Sequence, residues 1–125
     1  MTDSVAIFNG LLKKFKMNTY EDSKADPKIV NALHAIVMTI IERSGDVLED
    51  VHKMDEDSFP HILNGLFDSH ISWGRIFMSF ALTITMLEKV YFSPDTFNRK
   101  YNLFTCFLKN RLENWIIENG AWVNM

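Results

Sequence analysis

The sequence predicts an all-α bundle of six or seven helices, one domain over residues 1–125, around a central apolar helical hairpin. Three observations carry that expectation. Apolar residues recur at three- and four-residue spacing almost throughout, the period of an amphipathic helix. Three prolines and five glycines leave little room for the many turns of an all-β fold. The stretch Ile76 to Leu87, 12 uncharged residues, is apolar around most of a helix circumference, which suits a helix surrounded by others.

The first helix spans roughly Ser4 to Lys16, with Phe8, Leu11, Leu12 and Phe15 on one face and Asp3 or Thr2 as its cap. Lys13, Lys14 and Lys16 suit the negative end of its dipole and otherwise read as a solvated face. After a polar loop, Asp26-Pro27 is a cap followed by proline at the first helical position. The stripe Val30, Leu33, Val37, Ile40, Ile41, Val47, Leu48 and Val51 then runs to about Lys53. Gly45 lies inside it at a cost of about 1 kcal/mol relative to alanine, which predicts a close neighbour on that face.

Phe59-Pro60 starts a third helix that ends near His70, with Ile62, Leu63, Leu66 and Phe67 apolar. Ser72 can cap a fourth, running from Trp73 to about Tyr91. Ser93-Pro94 opens the fifth, whose inner face is Phe97, Tyr101, Phe104, Phe107 and Leu108. A last short helix carries Leu112, Trp115 and Ile116, and Asn119-Gly120 stops it.

Composition narrows the function classes. Hydrophobic residues make up 47% of the chain and charged residues 23%, which is globular and sufficient for one core without a disulfide or metal. Ten Phe, seven Met and three Trp suggest a core or groove of large, adaptable side chains. A net charge of -3 offers no basic surplus for phosphates, so nucleic acid is not an expected partner. Cys106 stands alone among Phe104, Phe107 and Leu108 and reads as a buried, inert thiol. His34, His52, His61 and His70 lack metal-ligand spacing, and no glycine-rich phosphate loop occurs. No enzyme activity, catalytic residue, metal or cofactor is therefore expected. The N-terminus lacks the positive start of a signal peptide, and the 12-residue uncharged run falls short of the roughly 20 residues of a membrane helix. A soluble chain without an integral membrane anchor is expected.

Three stretches line up in one order. Ile41-Glu42-Arg43-Ser44-Gly45-Asp46-Val47-Leu48 resembles a BH3 motif: a large apolar residue, then a small residue, Asp and another apolar residue. Ile71-Ser72-Trp73-Gly74-Arg75-Ile76 resembles the BH1 motif, usually Asn-Trp-Gly-Arg. Trp115-Ile116-Ile117-Glu118-Asn119-Gly120-Ala121-Trp122 resembles BH2, usually Trp-Ile-x-x-x-Gly-Gly-Trp. The chain is thus similar to the Bcl-2 family from its second helix to its C-terminus, and the first helix would be BH4-like. It departs from the pattern at Ser72 for Asn, Asn114 for a common Pro and Ala121 for the second Gly. The loop before the second helix and the stretch between Asp46 and Phe59 are short. Such a compact chain, with no anchor after BH2, looks like a viral-type pro-survival member.

The resemblance implies a Bcl-2-like fold with a surface groove for BH3 helices, the helix-in-groove mode known for this family. Arg75 would pair with the Asp of a BH3 ligand, since a guanidinium meets a carboxylate in two places. Gly74 would let a partner backbone come close. Ser72 reads first as the cap of the fourth helix and, if it also touches ligand, reaches less far than Asn. Leu48, Val51, His52, Ile62, Leu66, Phe77, Met78 and Leu82 would line the groove, although each could equally be ordinary core. Trp73, Trp115, Gly120 and Trp122 read as scaffold, and Gly45 and Asp46 belong to the chain's own packed BH3-like stretch. Each buried ligand side chain would contribute about 1.5–3 kcal/mol, less the cost of ordering the helix.

The implied function is inhibition of apoptosis: binding of pro-apoptotic BH3 proteins of an infected host, in the cytoplasm or peripherally at mitochondria. A pore-forming pro-apoptotic effector of the same fold and a self-associating helical scaffold are the alternatives. An unoccupied groove is an apolar patch that a second copy could cover, so a homodimer through or near it is also expected.

Overall fold

The computed structural model describes residues 3–17, 24–52 and 58–125, and the side chains of residues 47–52 lie outside the described set. All regular structure among the described residues is helical.

Helix α1, Ser4–Lys14, starts where the sequence places its cap: the Asp3 carboxylate accepts from the Val5 N–H at 2.8 Å. It is more deeply buried than one apolar stripe suggests, because Asn9 and Gly10 are buried along with Ile7, Phe8, Leu11 and Leu12. Its C-terminus turns through Lys16 at φ 63°. There Met17 N–H donates to the Leu12 carbonyl at 2.9 Å and Lys16 N–H to the Lys13 carbonyl at 3.0 Å. This is a Schellman ending, with Met17 buried beside Leu12 as its apolar closure.

Helix α2, Pro27–His52, opens as expected, with Asp26 Oδ1 accepting from Lys28 N–H at 2.9 Å. Ile29, Val30, Leu33 and Val37 are buried, while Ile40 and Ile41 are half-buried. The helix is not uniform. Ser44 leaves helical geometry at φ -117°, ψ 18°, so α2 is kinked inside the BH3-like stretch. This corrects the reading of Gly45. Beyond its own stretch of helix and its chain neighbours, no described atom lies within 4 Å of where its Cβ would be, so no described neighbour explains the glycine. It sits directly after the kink, where the helix is already interrupted.

Helix α3, Ser58–Leu66, anchors itself through Phe59 and Leu63. It ends earlier than His70. Phe67 N–H donates to the Asn64 carbonyl at 3.2 Å and Asp68 N–H to the Gly65 carbonyl at 3.3 Å, which closes the last turn.

Helix α4, Trp73–Val90, occupies the centre, packed against α2, α3 and the helix that follows. Ile76, Phe80, Ala81, Leu82, Ile84 and Leu87 are all buried. Two polar residues are buried with them and satisfied within the helix. Ser79 Oγ donates to the Ile76 carbonyl and Thr83 Oγ1 to the Ser79 carbonyl, each at 2.7 Å.

Helix α5, Pro94–Phe107, returns from α4 and completes the expected hairpin. It continues without a break through a π-helical segment, Leu108–Leu112, into α6, Glu113–Glu118. The last two expected helices are therefore one rod. Leu108, Leu112 and Ile116, four residues apart, are all buried. That spacing over-rotates a regular helix by about 40° per step. The wider π turn absorbs the drift and keeps the three side chains on the core.

Between these layers three rings pack in contact. Phe104 lies 4.8 Å from Phe8 and 5.4 Å from Phe80, and Phe8 lies 5.5 Å from Phe80, centroid to centroid. Tyr101 Oη donates to the buried Asn9 Oδ1, so the polar atom that α1 carries inward is paired. Cys106 differs from its reading. It is exposed, because it falls on the outer side of α5 while Phe104 and Leu108 face the core.

Candidate functional site: the corner between α3 and α4

The corner is built by the start of α4. Ser72 has extended backbone, φ -148°, ψ 161°, and its Oγ accepts from the Arg75 N–H at 3.2 Å. Its carbonyl accepts from the Ile76 N–H at 3.0 Å. Ser72 is thus the helix cap, the first of its two readings.

Arg75 is half-buried, and its guanidinium reaches back to α3, where Nη1 donates to the Leu66 carbonyl at 2.6 Å. Leu66 is the last residue of α3, and its carbonyl is one of those a helix end leaves without an intrahelical donor. One arginine therefore closes the end of one helix from the first turn of the next. A guanidinium carries five N–H donors, so this bond leaves others for a further acceptor.

The two helices that Arg75 joins carry several apolar side chains that are only partly covered. Gly74 is exposed, and a Cβ there would meet nothing within 4 Å. Phe77 and Met78 are half-buried on α4, and Ile62 and Leu66 are half-buried on α3. Arg75, Met78 and Leu82 are spaced i, i+3, i+7 and share one side of α4. Leu82 is 4% exposed and packs in the hydrophobic core. Ser72, Gly74, Arg75, Phe77, Met78 and Leu82 thus lie on α4 or its cap and Ile62 and Leu66 on α3, the two helices that the Arg75–Leu66 bond joins. The side chains of Leu48, Val51 and His52, also expected to line the groove, lie outside the described residues. On α2, Gly45 is half-buried and Asp46 exposed.

Behind the corner stand the tryptophans. Trp73 stacks on Phe77 at 6.1 Å and meets Trp115 edge-on at 5.4 Å and Trp122 at 5.3 Å. Trp122 is 1% exposed, and its indole N–H donates to Ser4 Oγ at 2.8 Å. Gly120, at φ 93°, makes the turn that returns Trp122 to the bundle. There the Ala121 N–H donates to the Ile116 carbonyl at 2.8 Å.

Sequence reasoning missed one group next to this corner. Arg111, on the π segment, donates through Nη1 to Asn64 Oδ1 of α3 at 3.0 Å, and its guanidinium carbon lies 5.8 Å from the Phe107 ring centre. Asn64 and Arg111 are 47 positions apart, and no local spacing links them.

Among the described residues, no group of three His, Cys, Asp or Glu could hold a metal ion. No helix among them is long and apolar enough to cross a membrane.

A family model described as apoptosis regulator proteins of the Bcl-2 family matches residues 28–122. Bcl-2-like protein 1 of Sus scrofa is 38% identical over 69 residues, and that of Gallus gallus 36% over 69 residues. Each match takes in 52% of this chain but 29% of the relative, so the chain spans under a third of the curated relatives it matches. Among solved structures, Trichoplax adhaerens trBcl-2L2 bound to trBak BH3 superposes with a TM-score of 0.74 at 14% identity, covering 98% of this chain and 96% of that one. Schistosome BCL-2 bound to ABT-737 superposes with a TM-score of 0.69 at 22% identity, covering 97% and 91%. The fold, the order of the motifs and the residues matched agree: this chain belongs to the Bcl-2 family of apoptosis regulators.

Proposed function

We propose that the chain is a pro-survival member that captures pro-apoptotic BH3 helices of a host cell along the α3–α4 corner. The observation that carries this is Arg75. It is half-buried and reaches from α4 to the end of α3, two helices with partly covered apolar side chains, and it follows a glycine with open space in front of it. An amphipathic helix with several apolar side chains and one carboxylate matches that arrangement. The apolar residues would cover Ile62, Leu66, Phe77 and Met78, and the carboxylate would take remaining guanidinium N–H groups. Gly74 allows the ligand backbone to approach. The complexes of the two similar structures, one with a BH3 segment and one with ABT-737, support this reading.

Capture would take place in the cytoplasm or at the mitochondrial surface, where BH3 proteins act. The short connection between α1 and α2, residues 15–26, is in keeping with a compact, viral-type member. Self-association through the same apolar surface would compete with ligand, and dilution in the presence of a BH3 peptide would reveal it as a peptide-dependent change in mass.

Isolated mitochondria give the functional test. Added with an activating BH3 peptide, the protein is expected to suppress cytochrome release. Release caused by the protein alone would identify an effector and overturn the pro-survival reading.

A further inference from the structure

Helix α3 is the weakly held wall of the corner. It has nine residues, Ser58–Leu66, and buries only Phe59 and Leu63, with Phe67 buried just beyond its end. Two arginines from different helices meet its final turn: Arg75 of α4 at the Leu66 carbonyl and Arg111 of the π segment at the Asn64 side chain. The second is reinforced through rings, since Phe67 lies 5.6 Å from Phe107 and the Arg111 guanidinium lies over Phe107.

The two arginines differ in what a ligand does to them. A carboxylate on the bound helix shares the Arg75 guanidinium with the Leu66 carbonyl, taking N–H groups that bond leaves over. Asn64 and Arg111 are both exposed, and their bond uses no group of the Ser72-to-Arg75 turn. We propose that Arg111 is a positioning residue for ligand capture: it pins α3 to the α5–α6 rod, so that the wall keeps its place while the ligand draws on Arg75. The pin rests on the reading of the corner as a BH3 site, but its effect on α3 can be measured without any ligand.

The test has two arms, on wild type, Arg111→Met, Arg111→Lys, Asn64→Ala and the Arg111→Met/Asn64→Ala double variant. In the first, amide hydrogen exchange is followed without ligand. Exchange in α3 is expected to quicken about fivefold in Arg111→Met, the effect of one exposed cation–π contact and hydrogen bond. Exchange in α4 is expected to stay at the wild-type rate, and Arg111→Lys to restore part of the α3 protection. In the second arm, dissociation of a fluorescent BH3 peptide is expected to speed up by a similar factor, about fivefold, in Arg111→Met. The double variant is expected to lose little more than Arg111→Met alone, because both changes remove the same bond.

Unchanged α3 exchange in Arg111→Met would overturn the pin. Equal quickening in α3 and α4 would also overturn it, by showing a general loss of stability. Altered α3 exchange with unchanged peptide dissociation would refute the positioning role. Failure of the wild type to bind any BH3 peptide would instead remove the functional reading, leaving the exchange result to decide the pin.

Discussion

The Trp73 ring that opens α4 rests on the Trp122 ring near the end of the chain, their centres 5.3 Å apart and their planes inclined by 59°. The pair ties the two tryptophan motifs into one wall behind Arg75. Trp122 extends the tie to α1 through Ser4 and to the middle of α4 through Phe80, 5.5 Å away. Replacing Trp122 by alanine is expected to cost about 3–5 kcal/mol of stability, as for other large buried aromatics. Ser4→Ala leaves the indole N–H buried without its acceptor and is expected to cost about 1–3 kcal/mol. Urea unfolding followed by circular dichroism measures both.

Ala121 stands at φ 58°, ψ -171°, a region that glycine enters freely and other residues enter at a cost of about 1–3 kcal/mol. The family pattern has glycine here, and the backbone shows why. Ala121→Gly is expected to raise stability by about 1 kcal/mol, the strain relieved less the entropy glycine adds to the unfolded chain. Gly120→Ala is expected to do the opposite, since Gly120 has φ 93° and a Cβ there would lie 2.7 Å from Asn124 Cβ. Thermal unfolding of the two variants should shift in opposite directions.

Ser72 is a helix cap, so Ser72→Ala is expected to cost about 1 kcal/mol of stability. Ser72→Asn restores the residue usual in the family and keeps a capping oxygen, so stability is expected to hold. If the residue also touches ligand, the longer amide reaches further, and BH3 affinity should rise in the Asn variant. Calorimetric unfolding and peptide titration separate the two effects.

Cys106 is exposed on the outer side of α5. It is expected to react with a maleimide in the folded protein, at a rate unaffected by concentrations of urea too low to unfold the chain. Mass spectrometry at intervals after mixing would show this, and labelling that required unfolding would contradict it.

Local signals were legible in the sequence, and long-range ones were not. Asp3, Asp26 and Ser72 each hold the cap role that their position before a periodic run implied, because a cap bond closes within three residues. The central place of α4 was readable because its apolar residues cover most of its circumference. The continuity of α5 and α6 was hidden, because the extra residue of a π turn leaves no mark of its own in the sequence. Cys106 stands two positions from both Phe104 and Leu108, which on a helix puts it on the opposite side, so its exposure was legible from the inner face of α5 even though its apolar neighbours in sequence suggested burial. The kink at Ser44 offers no proline to mark it. At the corner, the motif pointed to Arg75. Its bond to Leu66 and the Arg111–Asn64 bond join residues from different helices, and only the packed bundle brings them together.

The central claim is that Arg75 receives the carboxylate of a captured helix. A double-mutant cycle tests it most directly: wild type and Arg75→Ala, each titrated with a BH3 peptide and with the same peptide carrying Ala for its Asp. Each single change is expected to weaken binding by about 2 kcal/mol, roughly thirtyfold. Both together should weaken it little more than either alone. Losses that simply add, or a wild-type protein indifferent to the peptide's Asp, would contradict the account.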